Sequence, residues 1–198
     1  MPHLPLNIDV RGLTALVVGG GAVAERKIVS LLASGATVNV VAPNLTHELT
    51  QLAADGAVLL KSGSYEPCDL NGAFLAVAAT DDPETNRRVA SDARQRSMLV
   101  SVTDSPETGN CTFPALLRRG NLEVGVSTNG TCPGFSAVVR DVIAEVISEE
   151  YGALLSILAV EREKLLTEGR HSTYNNQILR SRARELINEL NKHKERVP

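Results

Sequence analysis

The run Val17-Val18-Gly19-Gly20-Gly21-Ala22-Val23-Ala24 has the residue types and spacing of a turn that can hold a pyrophosphate. It fits G-x-G-x-x-G/A, directly after an apolar strand pattern and at the opening of a helical one. In that frame Gly19 permits the tight turn, Gly21 lets the backbone approach the phosphates, and Ala24 lets helix and sheet pack closely. The phosphates would then lie on the N–H groups of the helix start, at Ala22 and Val23, which have no partner inside the helix. The plainer alternative is a strand–helix turn with no ligand. The second strand ends in Val40-Val41-Ala42-Pro43-Asn44, with no Asp or Glu to accept from a ribose 2′-OH. Pro43 and Asn44 are the candidates beside that ribose, with Asn44 as its hydrogen-bonding group. The absence of clustered Arg or Lys after Pro43 tilts the choice toward NAD.

Two further strand ends carry polar groups. Thr80, in Ala78-Ala79-Thr80-Asp81-Asp82, reads either as a cofactor contact or as a plain strand-end hydroxyl, and Asp82 reads as a helix cap. Asp104 follows the fifth strand in Ser101-Val102-Thr103-Asp104-Ser105-Pro106. A carboxylate there could take a proton while hydride leaves, or hold a divalent cation, or serve as an Asx-turn residue before Pro106. Ser127 and Thr128 open a hydroxyl-rich loop, Ser127-Thr128-Asn129-Gly130-Thr131, suited to turn chemistry or to an anion or substrate. His3, His47, His171 and His193 lack metal-ligand spacing, so no dedicated metal site is expected. His171 alone is considered for a substrate-facing role.

The elements that must position these residues follow from the apolar pattern. Ala15–Val18, Thr37–Val41, Val58–Lys61, Phe74–Ala79 and Leu99–Val102 alternate with helical stretches, the grammar of βαβ units and a parallel sheet. Gly35 stands where the first crossover helix needs a left-handed cap, and Asp82-Pro83 starts a helix that runs to about Ser97. Beyond Asp104, Thr112–Leu117 and Leu122–Ser127 predict a hairpin across Arg118-Arg119-Gly120-Asn121. From Ser136 onward the pattern is helical. Val138, Val139, Val142, Ile143, Val146 and Ile147 share a face, and a last helix spans about Asn175–Lys192.

Bulk properties exclude several classes. The 198 residues suffice for an ordinary domain plus a smaller one, and a net charge of -3 offers no field for nucleic acid. Arg180, Arg182, Arg184, Lys192 and Lys194 interleave with acidic residues, which argues against a nucleic-acid arm. Three scattered cysteines give no disulfide framework and suit a reducing cytoplasm. No leader and no membrane span is expected.

Taken in order, the motifs are Gly19-Gly20-Gly21-x-Val23-Ala24-x-Arg26-Lys27, Leu31-Leu32-x-x-Gly35-Ala36-x-Val38, Val41-Ala42-Pro43, Ala78-Ala79-Thr80-Asp81-Asp82 and Asn86. Val102-x-Asp104, Phe113-Pro114, Val124-x-Val126-Ser127-Thr128-x-Gly130 and Pro133 continue them. The chain resembles the precorrin-2 dehydrogenase family, which includes the dehydrogenase–ferrochelatase modules of sirohaem synthases. The resemblance implies an α/β fold: a Rossmann-type parallel sheet in residues 1–112, a ribbon and helix dimerisation region in 113–145, and a small helical domain in 146–198. It implies NAD-dependent oxidation of precorrin-2 to sirohydrochlorin, Asp104 at the catalytic aspartate position, and a homodimer. Some members then insert ferrous iron at the same site, and this activity, like an iron or cobalt branch, stays open. A substrate with many carboxylates suits Arg118, Arg119 and Arg140 as clamps, although exposed arginines are often merely solvated. Asn110-Cys111-Thr112 departs from a more apolar run, and no fused methyltransferase is expected. The alternative is a non-catalytic NAD-sensing Rossmann module, since a fold does not fix a function.

Overall fold

In the computed structural model, which describes residues 3–167 and 172–194, the chain forms two compact units, residues 1–113 and 114–198. In the first, β1 (Thr14–Val18), α1 (Ala22–Ala33), β2 (Thr37–Ala42), α2 (His47–Ala54), β3 (Leu59–Ser62), β4 (Ala73–Ala78), α3 (Pro83–Gln95) and β5 (Leu99–Val102) follow one another. The strands are parallel and lie in the order β3-β2-β1-β4-β5. The sequence predicts all five within a residue or two of their observed ends.

β1, β2, β4 and β5 are almost wholly apolar because both faces of the sheet are covered there, whereas Leu59 and Leu60 of the edge strand β3 are exposed. Ala15, Val17, Val38, Val40 and Val77 pack on one face with Ala24, Ile28 and Leu31 of α1 and Leu49 of α2. Leu16, Val18, Val41, Ala76, Val100 and Val102 pack on the other with Val89, Ala90 and Ala93 of α3. The end of α1 is as expected: Gly35 has φ 83°, and Ala36 and Gly35 donate to the carbonyls of Leu31 and Leu32, the pattern of a Schellman cap. Asp82 caps α3, accepting from the backbone N–H groups of Glu84 and Thr85.

One helix, α2, is not anticipated by the apolar periodicity. It has only eight residues and rests on Thr46, whose hydroxyl accepts from the Leu49 N–H at 3.2 Å. The Asn110-Cys111-Thr112 departure also has a physical reason. Asn110 lies along the edge of β5, accepting from the Val100 N–H at 2.7 Å and donating to the Met98 carbonyl at 2.8 Å. A side-chain amide thus satisfies an exposed strand edge, while Cys111 and Phe113 pack against the core beneath α1.

The second unit contains an antiparallel hairpin, β6 (Ala115–Arg119) and β7 (Leu122–Val126), followed by α4 (Pro133–Val146), α5 (Glu150–Thr167) and α6 (Ser172–Lys194). The first ribbon strand starts three residues later than Thr112 because Pro114 cannot donate to a ladder. The turn shortens to Gly120-Asn121, so Arg118 and Arg119 are strand residues. On α4 the expected single apolar face divides: Val139 and Ile143 are half-buried, whereas Phe135, Val138, Val142 and Val146 are exposed. His171 lies outside the described residues.

Candidate functional site

The register of the sheet brings the predicted residues to one edge. Val41, Val18, Ala78 and Val102 are in mutual register at the carboxyl ends of β2, β1, β4 and β5. Two residues further on stand Pro43, Gly20, Thr80 and Asp104, so four loops leave the sheet at a common level. The chain crosses over in opposite directions on either side of β1, and that switch between β1 and β4 is where open α/β sheets bind ligands.

The glycine turn is fastened on both sides. Gly19 donates its N–H to the Val41 carbonyl at 2.9 Å, and Ala79 donates to the Val18 carbonyl at 2.8 Å. Gly19 has φ 129°, and a Cβ there would run into the Ala79 carbonyl oxygen. A side chain on Gly20 would strike the Asn44 carbonyl oxygen, because the segment after β2 crosses directly over it. The G-x-G-x-x-G/A pattern leaves this middle position unspecified. Only the crossing of the β2–α2 segment makes it obligatory, and the small Ala42 beside it is the one hint in the sequence.

Gly21 is different. It is the exposed cap residue of α1, with φ −83° and ψ −179°, and nothing lies within 4 Å of where its Cβ would be. No side chain caps this helix, so the N–H groups of its first turn, including those of the exposed Ala22 and Val23, face open space. Ala24 is fully buried against the sheet. A bare, uncapped helix start with its positive end outward fits a pyrophosphate. Ala79 leaves room beside it.

Thr80 is committed to its own turn. Its hydroxyl donates to Asn86 Oδ1 at 2.8 Å and accepts from the Asp82 N–H at 3.2 Å. The Asn86 amide also accepts from the Thr80 N–H at 3.1 Å and donates to the Thr80 carbonyl at 3.0 Å. Asn86 is 1% exposed, and it is the residue that holds this wall of the site in shape. The sequence marks it only as the last member of the motif Ala78-Ala79-Thr80-Asp81-Asp82 and Asn86.

Asp104 is exposed. The Thr103 N–H donates to the Ala78 carbonyl at 3.0 Å, which holds the loop in line with the sheet before Asp104 turns outward. Two strand spacings, about 10 Å, separate β5 from β1. Pro43 and Asn44 are also exposed.

The remaining candidates belong to the second unit. Arg118 pairs with Glu123 at 2.7 Å and Arg140 with Asp141. Arg119 is 17% exposed in its side chain; it donates to the Ile147 carbonyl at 2.8 Å and pairs with Glu149 at 2.9 Å, tying β6 to the turn between α4 and α5. Thr128 accepts from the Cys132 N–H and lies 3.1 Å from the buried Ser136 hydroxyl, while Ser127 accepts from the Asn129 N–H. Among the described residues no group of three or more His, Cys, Asp or Glu side chains gathers to hold a metal.

The NAD(P)-binding family model matches residues 6–115. The siroheme synthase of Methylobacillus flagellatus is 41% identical over 165 residues, covering 82% of this chain and 35% of that protein. The siroheme synthase of Chromobacterium violaceum is 43% identical over 154 residues, covering 78% and 33%. The chain thus spans about a third of the length of the curated relatives it matches. The solved structure of SirC, precorrin-2 dehydrogenase, superposes with a TM-score of 0.78 at 26% identity, over 96% of this chain and 99% of that one. These relatives agree with the resemblance carried by the sequence motifs. A turn left bare for a pyrophosphate and a family match over more than half the sequence have a common reading: the chain belongs to the NAD(P)-binding family.

Proposed function

We propose that the chain is an NAD-dependent precorrin-2 dehydrogenase that forms sirohydrochlorin. The likeness to SirC over nearly the whole of both chains carries this reading. The exposed carboxylate level with the glycine turn at the sheet edge supplies its chemistry. NAD, when bound, accepts a hydride. The N–H groups of Ala22 and Val23 hold its pyrophosphate, Gly21 leaves it room, and Asn44 and Pro43 flank its ribose. Asn86 keeps the Ala79-Thr80 wall in place. Asp104, an exposed carboxylate at the sheet edge, accepts the proton that the partly reduced macrocycle loses.

The substrate's carboxylates suit arginines able to exchange an exposed partner, which Arg118 and Arg140 can do. Arg119 is already bound to the backbone at Ile147, and its role is to hold the hairpin. Ser127 and Thr128 add hydroxyl groups at the start of α4. Iron enters only as a second substrate, to be met by Asp104. The region 113–145 is read as the dimerisation region of a homodimer and 146–198 as a helical domain. The exposed stripe Phe135, Val138, Val142 and Val146 on α4 supports the dimer, because solvent-facing apolar residues at helical spacing call for a partner. No helix among the described residues is long and apolar enough to cross a membrane. Three free cysteines support work in a reducing cytoplasm.

The test is an anaerobic assay with enzymatically generated precorrin-2 and NAD, following sirohydrochlorin by absorbance, then adding ferrous iron. NAD-dependent product that is lost in Asp104→Asn supports the reading. Faster iron insertion than in an enzyme-free control adds chelation. Folded protein that binds NADH without turnover overturns the enzyme and leaves an NAD-sensing module.

A further inference from the structure

Asn39 interrupts the apolar run of β2 in Val38-Asn39-Val40-Val41. The parallel register sets it between Leu16 of β1 and Leu59 of β3. Val38 and Val40 pack with α1 and α2, so Asn39 belongs to the other face of the sheet. There α3 packs on β4 and β5, and the connection from β3 to β4 carries only the short 3₁₀ turn Pro67–Leu70. Leu70 and Tyr65 join Val18 and Val41 in the buried cluster toward the carboxyl ends of the strands. Below them no helix covers β2 and β3. What remains is a cleft of about 160 Å³ lined by Leu16, Asn39, Val41, Leu59, Lys61 and Asp69. Asn39 Oδ1 is buried and has no hydrogen-bond partner, the one such side-chain atom among the described residues. Buried polar atoms are normally paired, so an orphan in the lining of a cleft calls for a donor from outside the chain.

We propose that this cleft is a binding site for a neutral, single-ring molecule that carries a hydroxyl or N–H group, which donates to Asn39 Oδ1 while the ring lies against Leu16, Val41 and Leu59. The size fits, since a cavity of about 150 Å³ admits a benzene ring. The apolar lining with one polar group is the ordinary composition of a small-molecule site. At the rim Lys61 pairs with Asp69 at 2.9 Å and with Glu66 at 3.2 Å. One cation against two carboxylates leaves nothing for an anion. Asn39 and Leu59 lie three residues, about 10 Å, before the carboxyl ends Ala42 and Ser62, so the cleft is distinct from the glycine-turn edge and independent of the cofactor reading.

Phenol is the probe, compared with toluene, which lacks the hydroxyl, and with benzoate, which is charged. Titration of the isotope-labelled chain, followed by amide chemical shifts, should give saturable changes confined to β2, β3 and Pro67–Leu70, with a phenol dissociation constant of about 1–10 mM. Toluene should bind about fivefold more weakly, the worth of one hydrogen bond, and benzoate more weakly still. Asn39→Leu should remove the advantage of phenol over toluene. Leu59→Asp, at an exposed edge position, should weaken both. Shifts that map elsewhere, toluene or benzoate matching phenol, or phenol binding that neither substitution moves overturns the inference, as does a phenol-soaked crystal with only water on Asn39 Oδ1. NADH binding should be the same with and without phenol. Competition between the two would assign the cleft to the dinucleotide and overturn this inference while the cofactor reading stands.

Discussion

Asp104 stands two residues past the last paired position of β5, exposed and level with the glycine turn. If it takes the substrate proton, Asp104→Asn lowers turnover by about 10²- to 10⁴-fold while NADH binding, measured by fluorescence, stays in place. A purely structural Asx role would cost stability instead, and a melting curve separates the two. Asn86 is the complementary case: buried, and joined by three hydrogen bonds to Thr80. Asn86→Ala should cost about 1–3 kcal/mol and weaken NADH binding, because the turn it braces loses its shape. Cys111 is set apart from the exposed Cys68 and Cys132 by burial, which pushes its thiol from 9.0 up to about 11. Its neutral form is favoured by folding, so its contribution is fully present below pH 9 and is lost as pH rises from 9 through 11. The melting temperature of the native chain should therefore fall more steeply over that window than that of Cys111→Ala, and at pH 8 an alkylating reagent should modify Cys68 and Cys132 first. Asp104 was legible as a residue because it follows an apolar strand. Asn86 was visible only as part of a family motif, since its role depends on which face of α3 is covered.

Among the elements, the glycine turn makes the sharpest prediction because its members fail in different ways. Gly20→Ala forces a methyl group onto the Asn44 carbonyl, and backbone there can yield only if the start of α2 moves. The expected cost is about 2 kcal/mol or more, within the range for overpacking, seen in denaturant melts without ligand. Gly21→Ala meets nothing and keeps an ordinary φ, so stability should change by less than about 1 kcal/mol. NADH binding should nevertheless weaken by at least about tenfold, since the methyl group enters the space left for the pyrophosphate. Equal losses of stability in both variants would remove the distinction. The sequence motif marked the first and third glycines and was silent on the second. The motif records what the ligand needs, whereas Gly20 answers to a neighbouring segment. For the same reason the short α2 escaped notice: one capping threonine and a single buried leucine set it, too little for a periodic signal.

At the scale of the molecule, the exposed stripe on α4 and the packing of the second unit make separate predictions. If Phe135, Val138, Val142 and Val146 meet a second copy, Val142→Glu should convert a dimer to a monomer in sedimentation equilibrium. If the stripe stays in solvent, mass and stability should both be unaffected. Gly152 belongs to the interior of its own unit. A Cβ there would come within 2.5 Å of the Arg119 carbonyl oxygen, so α5 can pass the hairpin turn only with glycine at this point. Gly152→Ala should destabilise that unit by about 1–3 kcal/mol, visible as earlier proteolysis within residues 114–198 while residues 1–113 stay protected.

The sequence alone determined the five parallel strands, the first crossover helix with its glycine cap, the N-cap of α3 and the glycine turn between β1 and α1. Each is written in neighbouring residues: apolar runs covered on both faces, a glycine at positive φ, an Asp-Pro helix start. Tertiary structure decided the rest. Only the parallel register sets Pro43, Gly20, Thr80 and Asp104 at one level, although Pro43 and Asp104 are 61 positions apart in the chain. Only packing divides the apolar side of α4 into a half-buried row and an exposed one, and commits Arg119 to a backbone carbonyl while Arg118 and Arg140 keep exposed partners. Local pattern reports what a residue can do; which residues meet depends on contacts between segments far apart in the chain, and those exist only once the sheet and the hairpin have formed.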